Sequence, residues 1–253
     1  MKKKLILKIG TSTLTAGTNR ISYAKIEDIA RQIVILKNNY EFVLVSSGAI
    51  ATAKQFIEIN GYNKHADSKQ AMAAIGQPKL MKIYDEIFSS FGLKIAQCLL
   101  TYRDFEDSMA KTNTKNTIDK LLAHNYIPII NENDTVAIEE IILGDNDKLS
   151  ALVAIIINAD LLIISSDIDG LYDQNPHLNK KAKLIKKVTD LKQVKPFIQE
   201  KKSNLGTGGM TSKIQAAEIC KQKKIEMWIV NSGENNFLID AFQNKIPFTK
   251  FKL

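Results

Sequence analysis

The sequence predicts an α/β protein, a three-layer α/β/α sandwich built around a mostly parallel sheet. Short apolar runs with β-branched residues alternate along the chain with longer segments in which apolar residues recur at helical spacing. The chain contains no linker, low-complexity segment or repeat of fixed period. We therefore expect a single domain over residues 1–253, with an N-terminal lobe over about 1–160 and a C-terminal lobe over about 161–253.

Each predicted element follows from a local pattern. The predicted strands, which are apolar runs bounded by turn residues, cover 4–9, 42–45, 93–100, 126–130, 160–165, 184–188, 225–230 and, at an edge of the sheet, 248–251. The predicted helices cover 22–38, 49–59, 68–91, 108–124, 146–158, 210–221 and 235–243. Ser22 is the predicted N-cap of the first helix. We expect a break in the 68–91 helix around Gly76-Gln77-Pro78 and a small hairpin over 135–143.

Composition narrows the possible functions. Of the 253 residues, 45% are hydrophobic and 25% are charged, as is usual for globular proteins, and this length can bury a large core without disulfides or structural metal. The cysteines Cys98 and Cys220 have no CxxC partner, and three scattered histidines predict no metal cluster. No apolar run approaches the roughly 18–20 residues that a membrane span needs. We therefore predict a cytoplasmic protein with reduced thiols and no membrane partner.

The net charge of +8 is concentrated in the last third of the chain. Residues 180–253 carry 16 lysines against 6 acidic residues, whereas residues 1–179 carry 19 basic and 21 acidic residues. A basic region can bind nucleic acid. These lysines come in short groups without interleaved aromatic residues, which favours a solvated face that attracts an anionic ligand. Nucleic acid is not an expected partner, and a non-catalytic nucleotide- or RNA-binding protein is the alternative from a different class.

Small, hydroxylated and acidic residues gather where the predicted strands end. In open parallel sheets, ligands bind in the loops that follow the carboxyl ends of the strands. The segments at these points, or before a long helix, are 10–12, 46–49, 131–134, 144–147, 165–167 and 206–209. Any one of them could serve only a local turn, but six at one edge of a sheet indicate a ligand site.

Two lysines predict the charge of that ligand. Lys8 lies inside an apolar strand, so we expect it to be buried, and a buried lysine needs an anionic partner. Lys213 follows the glycine-rich turn 206–209, whose backbone N–H groups at a helix N-terminus can hold an anion. The chain has no GxxxxGKS or GxxxxGKT P-loop, and 206–211 lacks the acidic residue that follows a dinucleotide-binding turn after about 20 residues.

These features predict phosphoryl transfer without a P-loop. Two lysines would stabilise the charge of the transferred group, and acidic residues would orient the lysines or hold magnesium. Asp147 is the first candidate acid, with Asp145 and Asp167 as lesser ones.

Taken together, six segments resemble the glutamate 5-kinases of the amino acid kinase family. They are KIGTS (8–12), VSSGAI (45–50), INENDTV (130–136), GDNDKLSA (144–151), SSDIDGLY (165–172) and GTGGMTSK (206–213), in the order and spacing of that family. The resemblance covers nearly the whole chain and implies the amino acid kinase fold. It also implies transfer of the γ-phosphoryl group of ATP to the side-chain carboxylate of L-glutamate, the first step of proline biosynthesis. Mg²⁺ is expected to arrive with ATP, and no protein metal ligand is assigned.

The resemblance implies roles for individual residues. Lys8 and Lys213 would stabilise the transferred phosphoryl group from the substrate and nucleotide sides, and Asp147 would orient both lysines. The residues implied in glutamate binding are Ser47, Gly48, Asp134 and Asn146. Those implied in ATP binding are Lys8, Gly10, Ser166, Asp167, Thr207, Gly208, Gly209, Met210, Thr211, Ser212 and Lys213. Ser166 replaces a common threonine, and Thr211-Ser212 vary the usual residues before the lysine, but both departures keep a hydroxyl group.

The remaining expectations concern substrate choice and partners. Relatives with this fold phosphorylate acetylglutamate, aspartate, carbamate or UMP, but Asp134 could pair with a free α-amino group, which favours glutamate. The resemblance makes proline an expected feedback inhibitor, acting through the 135–143 loop, and a homo-oligomer the expected assembly. The unstable acyl phosphate would be handed to glutamate-5-phosphate reductase. Many family members carry a C-terminal RNA-binding-type PUA domain, and we expect none in these 253 residues.

Overall fold

In a computed structural model, which describes residues 2–57, 65–137, 146–176, 178–194 and 209–253, eight strands form one sheet. The strands are β1 (Lys3–Ile9), β2 (Tyr40–Ser46), β3 (Lys94–Leu100), β4 (Tyr126–Glu132), β5 (Leu161–Ser166), β6 (Lys187–Val188), β7 (Glu226–Asn231) and β8 (Phe248–Phe251). The helices are α1 (Thr11–Leu14), α2 (Tyr23–Leu36), α3 (Ala49–Phe56), α4 (Ala66–Ser90), α5 (Ser108–Ala123), α6 (Asp147–Ile157), α7 (Met210–Lys221) and α8 (Phe237–Phe242). Two 3₁₀ turns cover Tyr102–Phe105 and Leu191–Gln193.

The sheet is mostly parallel, in the order β3-β4-β2-β1-β5-β7-β8-β6. The pair β7 and β8 is antiparallel, and the other pairs are parallel. β1 lies between β2 and β5, where Lys8 is in register with Val45 and Ile164. Because parallel strands end at the same edge of a sheet, the loops after β1, β2, β4 and β5 converge there.

Two apolar helix layers cover the sheet and complete the predicted three-layer sandwich. Helices α2, α4 and α8 pack on the face of β1 that carries Leu5, Leu7 and Ile9. Helices α5, α6 and α7 pack on the face that carries Ile6. Since successive strand residues point to opposite faces, Lys8 lies on the face of Ile6, toward α6 and α7.

Local signals explain several helix ends. The Ser22 side chain accepts a hydrogen bond from the Lys25 N–H over 3.2 Å, which confirms Ser22 as the N-cap of α2. Asp107 caps α5 in the same way by accepting from the Ala110 N–H over 2.6 Å. α6 ends at Asn158, which adopts the left-handed conformation with φ 51°.

The predicted break in the long helix is wrong, because α4 continues through Gly76-Gln77-Pro78. The proline is exposed, and the glycine serves a crossing between helices rather than a bend. A Cβ atom on Gly76 would lie 1.8 Å from the Ala49 carbonyl oxygen, so only glycine lets α4 approach the start of α3 this closely.

Other differences lie toward the end of the sheet. The predicted edge strand over 248–251 forms as β8, but β6 pairs with its outer side and is itself the edge. The predicted strand over 184–188 is reduced to β6, with Leu184 in an isolated bridge to Tyr172. Most of the predicted 135–143 hairpin lies outside the described residues. α1 and the 3₁₀ turns had no separate signal in the sequence pattern.

We predict that Gly76→Ala destabilises the protein by about 1–3 kcal/mol, because the added methyl group overlaps backbone atoms of α3. Urea unfolding followed by circular dichroism measures this free energy. The matched control is Ala71→Gly at an exposed position of α4, which should cost about 0.5–1 kcal/mol by helix propensity alone. A gain in stability from Gly76→Ala, as propensity alone would give, would contradict the close crossing.

Candidate active site

A single buried carboxylate joins the two predicted lysines. Asp147 Oδ1 lies 2.7 Å from Lys8 Nζ, and Asp147 Oδ2 lies 3.0 Å from Lys213 Nζ. Asp147 is fully buried, and each lysine is only 6% exposed. The structure thus brings together residues from β1, α6 and α7 in one cluster, which we call the Lys–Asp–Lys cluster.

The local structure explains these positions. Asp147 is the first residue of α6, where the positive end of the helix dipole favours a carboxylate. Lys213 lies in the first turn of α7, where the same dipole disfavours a cation. The Asp147 carboxylate offsets that cost. The hydroxyl of Ser212, which is in the same turn of α7 as Lys213, donates a hydrogen bond to Asp147 Oδ2 over 3.1 Å. With two positive charges and one negative charge, the cluster suits an anionic ligand at the end of β1.

Beside this cluster, polar side chains from β4 and α6 surround the loop after β2. Asn146, the fully buried N-cap residue of α6, donates through Nδ2 to Ser47 Oγ over 3.0 Å and to Asn131 Oδ1 over 2.9 Å. The Ser47 N–H donates to the Ile9 carbonyl over 3.0 Å, which ties the loops after β1 and β2 together. The predicted residues Ser47 and Asn146 are therefore in direct contact.

Asp134, also predicted for substrate binding, follows β4 and is 8% exposed. Burial raises the pKa of its carboxyl group to about 6, because the charged form loses water. A buried carboxylate with this property is suited to a cationic group that would restore the charged form.

Glycines set the backbone of the loops after β1 and β2. Gly48 begins α3 with φ 105°, and a Cβ atom there would lie 2.8 Å from Leu14 Cδ1. The Gly10 N–H, at the end of β1, lies 3.4 Å from the Ser165 hydroxyl. A Cβ atom on Gly10 would lie 3.6 Å from Lys8 Nζ, so this backbone closely approaches the lysine.

Besides Lys8 and Gly10 at β1, the described nucleotide-binding candidates lie just after or at the end of β5 and at the start of α7. Ser166 is buried at the end of β5, and Asp167 follows it at the surface. Gly209 is the N-cap of α7, and its carbonyl accepts from the Ser212 hydroxyl over 2.8 Å. Met210 is half-buried and packs against the apolar layer of α7, whereas Thr211 is exposed. Thr207, Gly208 and the lesser candidate Asp145 lie outside the described residues.

Near the candidate site, the structure also brings together three hydroxyl groups to which the sequence analysis gave no binding role. Thr13 Oγ1 lies 3.0 Å from Ser165 Oγ and 2.8 Å from Ser232 Oγ, and the Ser232 hydroxyl donates to the Ser166 carbonyl over 3.1 Å. This series of hydroxyl groups links α1 with the ends of β5 and β7. Serine or threonine directly after an apolar strand was the available signal. It placed Ser165 in the predicted segment 165–167, but only Ser166 and Asp167 of that segment were given a binding role, and the signal was not applied to the loop after β7.

Gln77 and Asn131 are also additions to the predicted site. Asn131 Nδ2 donates to Gln77 Oε1 over 2.9 Å, so α4 reaches the same group of polar side chains. Asn131 lay in a segment that the sequence singled out, whereas Gln77 was assigned only to the supposed helix break. No local sequence pattern predicts that a glutamine in the middle of a helix will be buried against a distant polar side chain.

Within the described residues, no group of three or more histidine, cysteine, aspartate or glutamate side chains is arranged to hold a metal ion. Nor does any helix in that part of the chain have both the length and the apolar character needed to cross a bilayer.

Comparison with known proteins agrees with this geometry. The sequence pattern of the amino acid kinase family matches residues 3–231. The chain belongs to the amino acid kinase family. The crystal structure of the UMP kinase from Ureaplasma parvum superposes with a TM-score of 0.68 over 100% of both chains at 17% identity. At this identity the likeness shows the fold alone, and it confirms the predicted fold class.

Sequence relatives within the family are more similar. The glutamate 5-kinase of Clostridium acetobutylicum is 45% identical over 247 residues, which are 97% of this chain and 91% of that protein. The glutamate 5-kinase of Clostridium tetani is 42% identical, with 98% of this chain and 94% of that protein covered. The glutamate 5-kinase of Caldanaerobacter subterraneus is 44% identical, but the match spans 93% of this chain and 64% of that protein. The predicted resemblance is thereby confirmed.

We predict that Asp147→Asn lowers kinase turnover by about a hundredfold or more, because the lysines lose the group that orients them. It should also destabilise the fold by about 3–5 kcal/mol, since two buried ammonium groups lose their counter-charge. Steady-state kinetics and urea unfolding measure the two effects.

The chain offers a matched control at its surface. Asp119 also pairs with two lysines, Lys4 at 2.7 Å and Lys115, but its side chain is 30% exposed. Asp119→Asn should cost no more than about 1 kcal/mol and leave turnover unchanged, because water screens the exposed charges. Equal losses in the two variants would refute a special role for the buried cluster.

Proposed function

We propose that this protein is a glutamate 5-kinase, which transfers the γ-phosphoryl group of ATP to the side-chain carboxylate of L-glutamate. The observation that carries the proposal is the Lys–Asp–Lys cluster beside a group of buried, hydrogen-bonded polar side chains, in a chain 45% identical to a glutamate 5-kinase over nearly its whole length. The product, L-glutamate 5-phosphate, enters proline biosynthesis.

The chemical step needs positioning and charge stabilisation more than proton transfer. A side-chain carboxylate oxygen of glutamate attacks the γ-phosphorus, and the bond from that phosphorus to the β,γ-bridging oxygen breaks to release ADP. Lys8 stabilises the transferred group from the glutamate side, and Lys213 does so from the nucleotide side. Asp147 holds both ammonium groups in place, so the positive charge needs no rearrangement as negative charge spreads over the phosphoryl oxygens.

Magnesium is proposed to arrive with the nucleotide. Asp147, the carboxylate at the centre of the cluster, is already engaged by two lysines, which supports an ion bound to ATP. When bound, magnesium offsets negative charge on the β- and γ-phosphates. The ATP-binding residues proposed within the described ranges are Lys8, Gly10, Ser166, Asp167, Gly209, Met210, Thr211, Ser212 and Lys213. Thr207 and Gly208 are proposed with them from the sequence.

The amino-acid substrate is proposed to lie against Ser47, Gly48, Asp134 and Asn146. Asp134 would pair with the α-ammonium group, an interaction that an N-acetylated substrate cannot form. A UMP kinase is the competing function within the family, and it would need several cationic groups on the acceptor side. Lys8 is the lysine that we place on that side, which favours an amino acid over a nucleotide acceptor.

Regulation and assembly follow from the same proposal. We propose proline as a feedback inhibitor, a homo-oligomeric assembly, and delivery of the unstable acyl phosphate to glutamate-5-phosphate reductase. A cytoplasmic location fits a protein that uses ATP as its phosphoryl donor. The single domain with two lobes, divided near residue 160, is likewise proposed from the sequence.

The decisive experiment measures ADP release from Mg-ATP with hydroxylamine present, which converts an acyl phosphate to a hydroxamate. We expect ADP release to depend on L-glutamate and to be matched by hydroxamate. N-acetyl-L-glutamate and UMP should support neither signal. Release of ADP without hydroxamate, or a preference for UMP, would refute phosphorylation of the glutamate carboxylate.

We predict a pH dependence set by Asp134, whose pKa is raised to about 6 by burial. Below this pH the carboxyl group is protonated and loses its attraction for the ammonium group, so kcat/KM for L-glutamate should fall as pH decreases from 7 to 5. The glutamate side chain, with an ordinary pKa of about 4.3, stays ionised in most of this range.

The control is Asp134→Asn, which lacks the ionisable group. It should raise KM for L-glutamate far more than KM for ATP, and its kcat/KM should be nearly flat over the same pH interval. If kcat/KM of the variant for L-glutamate still falls near pH 6, another group titrates and Asp134 does not bind the substrate.

A further inference from the structure

Three buried side-chain amides form a chain of hydrogen bonds from α4 to the N-terminus of α6. Asn146 Nδ2 donates to Asn131 Oδ1, and Asn131 Nδ2 donates to Gln77 Oε1, each over 2.9 Å. Gln77 is 7% exposed, Asn131 is 2% exposed and Asn146 is fully buried. We call these three residues the amide chain.

Backbone groups fix the orientation of two of the three amides, those of Asn131 and Asn146. The Glu132 N–H donates to Asn131 Oδ1 over 2.9 Å, so that atom must be the carbonyl oxygen. The Ser46 carbonyl accepts from Asn146 Nδ2 over 3.3 Å, so that atom must be the amide nitrogen. Among the described residues, Gln77 Oε1 is the acceptor for the hydrogen bond from Asn131 Nδ2.

This orientation decides what Asn146 presents to a ligand. Its nitrogen faces Asn131, Ser47 Oγ and the Ser46 carbonyl, so its Oδ1 lies on the other side of the amide group. In the part of the chain that the structure describes, this buried oxygen has no hydrogen-bond partner. A buried acceptor of this kind is suited to a donor on a ligand, such as an α-ammonium group.

We propose that Gln77 is a positioning residue for the amino-acid substrate. By accepting a hydrogen bond from Asn131, it holds the amide chain in the orientation that turns Asn146 Oδ1 toward the substrate. Loss of this acceptor would leave Asn131 Nδ2 buried without a partner, and rotation of Asn131 would then release Asn146. The inference rests on the proposed function, and Gln77 acts through Asn131 without touching the reacting atoms.

Other contacts anchor α4 independently of Gln77. Gly76 packs against the Ala49 backbone, and the Tyr84 hydroxyl lies 2.9 Å from Ser46 Oγ. Leu80 and Phe88 are fully buried in the apolar layer. Substitution of Gln77 should therefore leave the helix in place, so that a change in substrate binding reports on the amide chain.

The test replaces Gln77 with two side chains of similar length. Gln77→Met removes the acceptor, and we expect KM for L-glutamate to rise by about tenfold or more while KM for ATP changes less than about twofold. Gln77→Glu keeps an acceptor oxygen and should hold KM for L-glutamate within about threefold of wild type. Gln70→Met, the same change at a half-buried position of α4, is the matched control and should change neither constant.

A double variant separates positioning from a general loss of structure. When Asn131→Ala is already present, Gln77 has nothing to orient, so Gln77→Met should cause no further rise in KM for L-glutamate. Additive effects of the two changes, or equal rises in KM for L-glutamate and ATP, would overturn the proposal.

Three further outcomes are also decisive. If Gln77→Met fails to fold, Gln77→Glu decides alone, and a tenfold rise in its KM for L-glutamate overturns the proposal. Wild-type protein without glutamate-dependent hydroxamate would refute the proposed function itself. If the wild type is active and Gln77→Met has an unchanged KM for L-glutamate, only the positioning role is refuted.

Discussion

The shared Asp147 carboxylate is the interaction on which the site depends, because two buried ammonium groups converge on it from different elements. Lys8 comes from the centre of the sheet and Lys213 from the first turn of α7. Without this counter-charge, two buried ammonium groups would destabilise the packing of α7 on the sheet. The pairing of Asp147 with the two lysines therefore helps to determine the positions of α6 and α7 on the sheet, together with the apolar packing of that helix layer.

The sequence was sufficient to predict a residue's environment wherever that residue does not fit the pattern around it. A lysine within an apolar strand predicts burial and an anionic partner, and the alternation of β1 places Lys8 on the face of α6 and α7. Glycines and hydroxyl groups after the apolar strands likewise predicted the edge of the sheet at which the Lys–Asp–Lys cluster lies. The family resemblance then narrowed the chemistry, since the residue types alone left several phosphoryl acceptors open.

Features that depend on contacts between distant elements were not predictable in this way. Gly76, two residues before Pro78, gives the same local sequence pattern whether a helix bends or crosses another helix closely, and only the position of Ala49 distinguishes the two. Gln77 has the same difficulty, because its partner Asn131 is 54 positions later in the chain. Side-chain amides have no periodicity of their own, so their hydrogen bonds appear only when the sheet and helices are assembled.

The central position of β1 has a consequence for synthesis of the protein. β1 leaves the ribosome first, but its neighbour β5 begins about 150 residues later, and Lys213 follows later still. Until β5 emerges, the nascent chain exposes one edge of β1. Until Asp147 emerges, Lys8 also lacks the carboxylate that it pairs with in the finished protein. Chains that terminate before α6 would keep that open strand edge, so quality-control proteases could distinguish them from complete molecules.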